Sequence, residues 1–395
     1  MIGKHPDPDF DRRPPIWLVG ASVRAVAWSV HRAGWPVWAC DRFGDLDLMR
    51  MVQRYLPWEA RGDLRRHARL LPPCRVVYTG GVENHRGLVR WLQRRHRLLG
   101  NGCDALRVVR SPWRWTRIVA ESGMPVPAVC RTLPMEANPA DWIEKPLRSG
   151  GGLGVRVAES RHSRAGCFFQ RRVEGPSWGA VFLARRGQAH WIGLTRQWRA
   201  DGGAGVGPFH YAGSVGPIAV APAARASLQR VADALVQAGG LRGWFGIDLV
   251  GQPGQWQIVE INPRYVASVE VLERAAGKSL FPQHLWACLD CPEPLDRLEP
   301  PHRSCNAARN RIAGKVVCYA AAATTGSQVV RAARWIAGEF GVELADVPRA
   351  EATFTAGGPM ITLLQVGRSP TAVEATLQEA AAALRGAIRQ AARCD

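Results

Sequence analysis

The sequence predicts an α/β chain of two or three domains, opening on a doubly wound unit and closing on a small β-rich segment with a terminal helix. Three observations carry this. At 395 residues the chain is too long for one hydrophobic core. Its opening, "PPIWLVGASVRAVAWSVHRAGWPVWACDRFGDLD", reads as strand, glycine turn, helix, strand. Beyond residue 127 short strands and helices alternate to about residue 290, where a proline-rich connector intervenes.

Taken in order, residues 16–19 are a short apolar run, 20–22 the turn, and 23–33 a helix ending near Gly34. Residues 37–40 give a second strand, closed by Asp41. Only Gly20 stands where G-x-G-x-x-G needs three glycines, so dinucleotide binding is weakly supported. "CRVVYTGG" (74–81) is another strand ending in glycine, followed by a helix through "ENHRGLVRWLQRRHRLLG", completing a domain over 1–108. "SPWRWTRIVAESG" is a helix with a Ser-Pro start and a glycine stop, and opens the second domain, 109–290. The stretch 201–207, "DGGAGVG", reads as a flexible loop. After "CPEPLDRLEPPHRSC" the last segment, 291–395, runs from "NRIAGKVVCYAA" to an alanine-rich helix with Leu377, Ala381 and Leu384 at helical spacing.

The net charge of +19 raises the question of a phosphate-rich partner. Only four of the 52 basic residues are lysines, and the 48 arginines spread along the chain without forming a tail. A compositional bias explains this at least as well as a nucleic-acid groove, and no nucleic acid is expected as partner. The same bias makes the lysines informative, because a flexible point charge has been kept where arginine is the habit; Lys145 is the one to follow. The N-terminal stretch lacks the apolar core of a signal peptide, and no apolar run approaches the ~18 residues of a membrane helix, so no membrane partner is expected. The ten cysteines are scattered, and Cys288 and Cys291 alone have CxxC spacing, without the second pair a zinc site requires. Reduced thiols in a cytoplasm are the simpler reading.

Three stretches carry chemistry. In "WIEKPLRSGGGLGVRV" (142–157), Gly150, Gly151, Gly152 and Gly154 leave backbone N–H groups free to close around an anion. Lys145 would reach that anion from the preceding strand. The lysine precedes the glycines, so this is no Walker loop, and a plain glycine-tipped hairpin stays open as the alternative. In "CFFQRRVEGPSWGAVFLA" (167–184) a strand delivers Gln170, and the turn beginning at Val173 offers backbone groups to a base edge; an ordinary strand pair competes. In "GWFGIDLV" and "WQIVEINPR", Glu260 and Asn262 are two apart and leave one face of an extended chain. If the two strands pair, Asp248 joins them, and three oxygen donors suit a small hard cation such as Mg²⁺ or Mn²⁺. Arg264 follows at the same parity and would meet a transferring phosphate or a substrate carboxylate. A solvated acidic hairpin is disfavoured by the apolar flanks Val250, Ile258, Val259 and Ile261.

The order of these pieces, lysine and glycine loop, Q-x-x-V-x-G, G-x-D, then E-x-N-P-R, resembles the ATP-grasp superfamily over roughly residues 109–290, with the opening unit in the place of that family's preceding domain. The resemblance implies ATP and Mg²⁺ as cofactors. It implies that Lys145 and the glycines hold ATP phosphates, that Gln170 and Val173 border adenine, that Asp248, Glu260 and Asn262 bind the metal, and that Arg264 steadies an acyl-phosphate transition state. Two departures stand out. Many relatives carry a further lysine where this chain reads "SPWRWTR", so either Arg114 or Arg117 substitutes or the contact is absent. The hinge has Arg171 and Arg172 where an acidic residue is usual. "EINPRYVASVEVLERAAG" and "ADVPRAEATFTAGGPMITLLQVG" are similar to a narrower group near tyramine–glutamate ligase, linked to methanopterin- and methanofuran-type one-carbon metabolism, and the tail resembles the C-terminal domain of biotin-carboxylase-like enzymes.

The implied activity is ATP-dependent carboxylate–amine ligation through an acyl phosphate, on small molecules, with an amino acid such as glutamate as acyl donor. His210, Arg196 and Arg24 are further candidates to meet substrate. Assembly as a homodimer is left open. ATP-dependent carboxylation is the rival within enzymology. A basic nucleic-acid-binding protein and a degenerate fold that binds nucleotide only as a regulator are the rivals outside it.

Overall fold

A computed structural model describes residues 13–60, 62–200, 206–289 and 311–394. Its first strand, β1 (Ile16–Val19), is buried at all four positions, as a central parallel strand covered on both faces must be. The chain then forms α1 (Arg24–Arg32), β2 (Val37–Asp41), α2 (Leu46–Met49), β3 (Arg54–Pro57), α3 (Asp63–Leu70), β4 (Arg75–Tyr78), α4 (Arg86–Arg95) and β5 (Arg97–Leu98). The strands pair in parallel in the order β3-β2-β1-β4-β5. This is the doubly wound opening that the apolar runs imply. Strand order reverses between β1 and β4, so a crevice opens at their C-terminal ends, where such sheets bind ligands.

Helices α5 (Cys103–Val109) and α6 (Pro112–Glu121) lead out of this unit; α6 takes proline in its first turn, where no N–H is needed. A small antiparallel sheet follows, β6 (Val129–Cys130), β7 (Trp142–Pro146), β8 (Arg156–Val157) and β9 (Cys167–Arg171), in the order β6-β9-β7-β8. Then come β10 (Ser177–Arg185), β11 (Gln188–Arg199), β12 (Tyr211–Gly216), α7 (Pro222–Gly239), β13 (Gly243–Val250), β14 (Gln257–Asn262), α8 (Ala267–Ala276) and α9 (Phe281–Leu289). The last segment holds β15 (Ile312–Tyr319), β16 (Thr324–Thr325), α10 (Gly326–Phe340), β17 (Glu343–Ala345), β18 (Thr353–Phe354), β19 (Pro359–Gly367) and α11 (Pro370–Cys394).

One sheet unites the second and third parts: β14-β13-β10-β11-β12-β15-β19-β17. Its junction is the antiparallel pair β12–β15, with Ser214 opposite Lys315. The strands expected of a separate C-terminal unit thus extend the central sheet, and β16 and β18 pair apart from it. Leu377, Ala381 and Leu384 of α11 are buried, as their spacing implies. Another apolar cluster joins Ile16, Leu18 and Val26 of the first unit to Val269 and Leu272 of α8 and Phe281 of α9, so the opening unit is fixed against the central sheet. The proline-rich connector, Cys291 and residues 201–205 of the expected loop lie outside the described residues.

Candidate active site

The centre of the site is the β13–β14 pair. Asp248 stands opposite Glu260 and Gly246 opposite Asn262, and facing residues of an antiparallel pair project to one side. The alternate residues Ile247, Leu249 and Ile261 are buried in the apolar cluster on α7, and Ile258, opposite Leu249 beyond a register shift, joins them there. That burial holds the register, since a one-residue slip would turn the polar side chains into the core. Asn262 Nδ2 donates to Asp248 Oδ2 at 2.7 Å, and Arg110 Nη1 donates to Glu260 Oε1 at 3.1 Å. Two carboxylates and an amide oxygen on one face are a donor set that fits a small divalent cation.

Electrostatics distinguish the two carboxylates. Burial, then Glu260, push the Asp248 carboxyl up to about 7. Burial would raise Glu260 as well, but Lys145, Arg110 and Arg264 outweigh it and hold Glu260 below the ordinary carboxylate value. One negative charge is therefore answered by the protein and the second is not, which is the state a metal ion would relieve.

Lys145, on β7, crosses from the small sheet to the large one. Its Nζ donates to Gln170 Oε1 at 3.2 Å and to the Val259 carbonyl at 3.1 Å, and burial lowers its pKa. Gln170 Nε2 donates to the same carbonyl at 3.2 Å. The glycine loop folds over this point. Gly151 and Gly152 have φ of +65° and +79°, and a Cβ on Gly152 would fall 1.8 Å from the Phe209 carbonyl oxygen. The Gly151 carbonyl accepts from the Tyr211 amide at 3.1 Å, which seats the loop against the segment entering β12. Between the two sheets lies a cavity of about 260 Å³, lined by Lys145, Gly151, Gly152, Gln170 and Val173 on one side and by Asp248, Glu260, Asn262 and Arg264 on the other.

Arg264 lines this cavity and a second one of about 590 Å³, at the C-terminal ends of β1 and β4 and against β15 and β19. Its Nε donates to Glu83 Oε1 at 2.6 Å and its Nη2 to Asn262 Oδ1 at 3.0 Å. The turn before it is pinned at the Pro263 carbonyl, which accepts from Asn101 Nδ2 at 3.0 Å and Tyr78 Oη at 3.3 Å. The first unit thus orients the guanidinium of the second.

Several expected residues stand elsewhere. Gly150 and Gly154 do not line the smaller cavity: a Cβ on Gly150 would approach Arg264 at 3.6 Å, and Gly154 lies against Pro146. Arg114 and Arg117 are both exposed, and Arg117 pairs with Glu121 one turn along α6. The cation that reaches Glu260 is Arg110, which also donates to Asn84 Oδ1 and the Ser149 carbonyl, each at 2.8 Å. Arg24 is buried in a cluster with Glu270 and Asp346, and Arg196 pairs with Glu374 of α11, so neither faces the cavities. His210 turns its Nδ1 to the Gly207 carbonyl at 3.0 Å. Cys288 is buried on α9 beside His284. Arg110, Glu83 and the cavity-lining Gln197 carry no motif; Arg110 in particular is one arginine in a run of many.

A family model for the ATP-grasp domain matches residues 109–268. No curated protein matches the chain significantly in sequence. Among solved structures, the carboxyaminoimidazole ribonucleotide synthase of Aspergillus clavatus, complexed with ATP, is similar with a TM-score of 0.68 at 13% identity, over 94% of this chain and 98% of that one. An L-amino acid ligase of Bacillus licheniformis gives 0.65 at 16%, over 93% and 97%. The biotin carboxylase domain of the Hydrogenobacter thermophilus 2-oxoglutarate carboxylase, in complex with MgADP, ADP and bicarbonate, gives 0.64 at 11%, over 92% and 89%. At such identities the likeness is one of fold. With the lysine, glycine loop and E-x-N-P-R strand in the order described, residues 109–268 are an ATP-grasp domain.

Proposed function

We propose that the protein is an ATP-dependent ligase that activates a small carboxylate as its acyl phosphate and transfers the acyl group to an amine. The observation that carries this is the single guanidinium, Arg264, standing on the wall of two cavities at once. The smaller cavity has the cation and glycine loop suited to a nucleotide; the larger gives room for what receives the phosphoryl group.

In this reading Lys145 and the backbone of Gly151 and Gly152 take the phosphates, while Gln170 and Val173 border the base. Asp248, Glu260 and Asn262 would hold Mg²⁺, which when bound neutralises phosphate charge. Arg264 meets the substrate carboxylate as it attacks the γ-phosphorus, and ADP leaves. The neutral amine then attacks the carbonyl carbon, the C–O bond to phosphate breaks, and inorganic phosphate departs with a carboxylate oxygen and takes up the proton that the nitrogen loses. Arg264 is the charge held ready for the developing anion, fixed in advance by Glu83 and Asn262. No protein nucleophile is called for; the chain supplies position and charge.

The finer reading, an amino acid such as glutamate as acyl donor in one-carbon cofactor synthesis, is supported by the resemblance of residues 260–277 and 345–367. Residues from both stretches wall the larger cavity. A cytoplasmic setting accords with thiols that are free among the described residues. The domain limits proposed are 1–108, 109–290 and 291–395. The test is ADP release with Mg²⁺ across pairs of amino acids and amines, with bicarbonate as a separate arm and Glu260→Ala as control. Release that needs both a carboxylate and an amine supports ligation. Dependence on bicarbonate supports the carboxylase rival, and equal release by the Glu260→Ala variant sinks both.

A further inference from the structure

The larger cavity holds a carboxyl group to which the fold gives no partner. Four carboxylates gather beyond the end of β2: Asp41, Asp45, Asp47 and Asp346. Asp41 accepts backbone N–H bonds from Val23, Phe43 and Gly44, at 2.7 to 3.0 Å. Asp47 accepts those of Asp346 and Val347, and Asp346 takes the Arg24 guanidinium. Asp45 is 6% exposed, lines the cavity, and makes no side-chain hydrogen bond or ion pair among the described residues. Burial first, then Asp346, Asp41 and Asp47, push its carboxyl up to about 9.

Once ionised, a buried carboxylate among three others calls for a cation, and the cations on the same walls are engaged. Lys315 Nζ donates to Glu270 at 2.8 Å, Arg349 Nε to the Gly44 carbonyl at 3.0 Å, and Arg264 to Glu83 and Asn262. Arg42 is exposed. A bare metal ion fits poorly. It needs several oxygens, those of the other three carboxylates are already bonded, and no group of three His, Cys, Asp or Glu among the described residues is arranged to hold one. Apolar side chains, Val26, Val317, Phe354, Met360 and Ile361, make up much of the remaining wall, and about 590 Å³ is room for an organic body.

We propose that this cavity binds an organic primary ammonium, its cationic head against the Asp45 carboxylate and its hydrocarbon part on the wall formed by Val26, Val317, Phe354 and Met360. That the bound molecule is the amine of the reaction rests on the ligase reading above; the binding itself does not. Asp45 would then select for charge, since a cation favours its ionised form, whereas a neutral molecule of the same shape leaves it protonated and without a partner.

The test is titration calorimetry on the full chain at neutral pH without nucleotide, using hexylammonium, 1-hexanol and hexanoate, with MgATP binding measured on the same preparations. Hexylammonium should bind the wild type at least about tenfold more tightly than hexanol or hexanoate, and Asp45→Asn should erase the preference while MgATP still binds. No preference in the wild type, the same preference in the Asn variant, or displacement of hexylammonium by Mg²⁺ alone overturns the proposal. If the Asn variant does not fold, the wild-type ranking of the three probes decides alone. Hexylammonium binding as expected, with MgATP binding to neither protein, would refute the ligase reading and leave this site standing.

Discussion

At the scale of single residues the site is a balance between two carboxylates. Asp248 titrates near neutrality because it is buried beside Glu260, which Lys145, Arg110 and Arg264 keep ionised. If Asp248 holds Mg²⁺ as proposed, a proton on it competes with the metal. As pH falls below about 7 the apparent Mg²⁺ affinity should drop by up to about tenfold per unit, and Asp248→Asn should flatten that dependence; Mg²⁺ titrations across pH check both. The raised pKa also means that ionised Asp248 opposes folding as pH rises through 7, so Asp248→Asn should melt higher than wild type in metal-free neutral buffer while losing turnover. Lys145→Arg keeps the charge but not the slim stem that reaches two acceptors between the sheets, and kcat/KM should fall by about tenfold or more. That Asp248, Glu260 and Asn262 share one face was legible from strand parity, and the loop from its glycines. Arg110 was not: its role comes from where α5 ends relative to β14, a contact 150 residues apart in the chain.

Elements decide how the loop and the E-x-N-P-R strand are aimed. Gly152 combines a left-handed φ with contact against the Phe209 carbonyl, two conditions that no side chain meets. Gly152→Ala should therefore unseat the loop, raising KM for ATP about tenfold with the melting temperature nearly unchanged; steady-state kinetics and a thermal scan separate these. Strands β1 and β2 stand almost where their apolar runs end, because a parallel strand buried on both faces leaves a continuous apolar signature, whereas β3, with no residue fully buried, left none. The union of β12 with β15 had no such signature. It pairs strands separated by three helices, a hairpin and a long connector, and nothing local in either strand names its partner.

Over the whole molecule one buried ionic cluster ties the three parts. Arg24 of α1 meets Glu270 of α8 and Asp346 beyond β17, and Lys315 of β15 reaches the same glutamate. Arg24 and Lys315 together hold Glu270 well below the usual carboxylate range against its burial. Removing one partner leaves a buried charge uncompensated, so Arg24→Met should cost about 3–5 kcal/mol in denaturant unfolding; a loss under ~1 kcal/mol would show that the parts are held by their apolar contacts alone.

Mg²⁺-dependent nucleotide binding tests the central arrangement most directly, since it needs no knowledge of the substrates. ATP affinity would be measured by calorimetry with Mg²⁺ and with EDTA, for the wild type and for Glu260→Ala. Mg²⁺ should tighten binding to the wild type by about tenfold or more and leave the variant little changed. An equal effect of Mg²⁺ on both proteins would mean that Asp248, Glu260 and Asn262 do not hold the ion, and the mechanism built on them would be wrong.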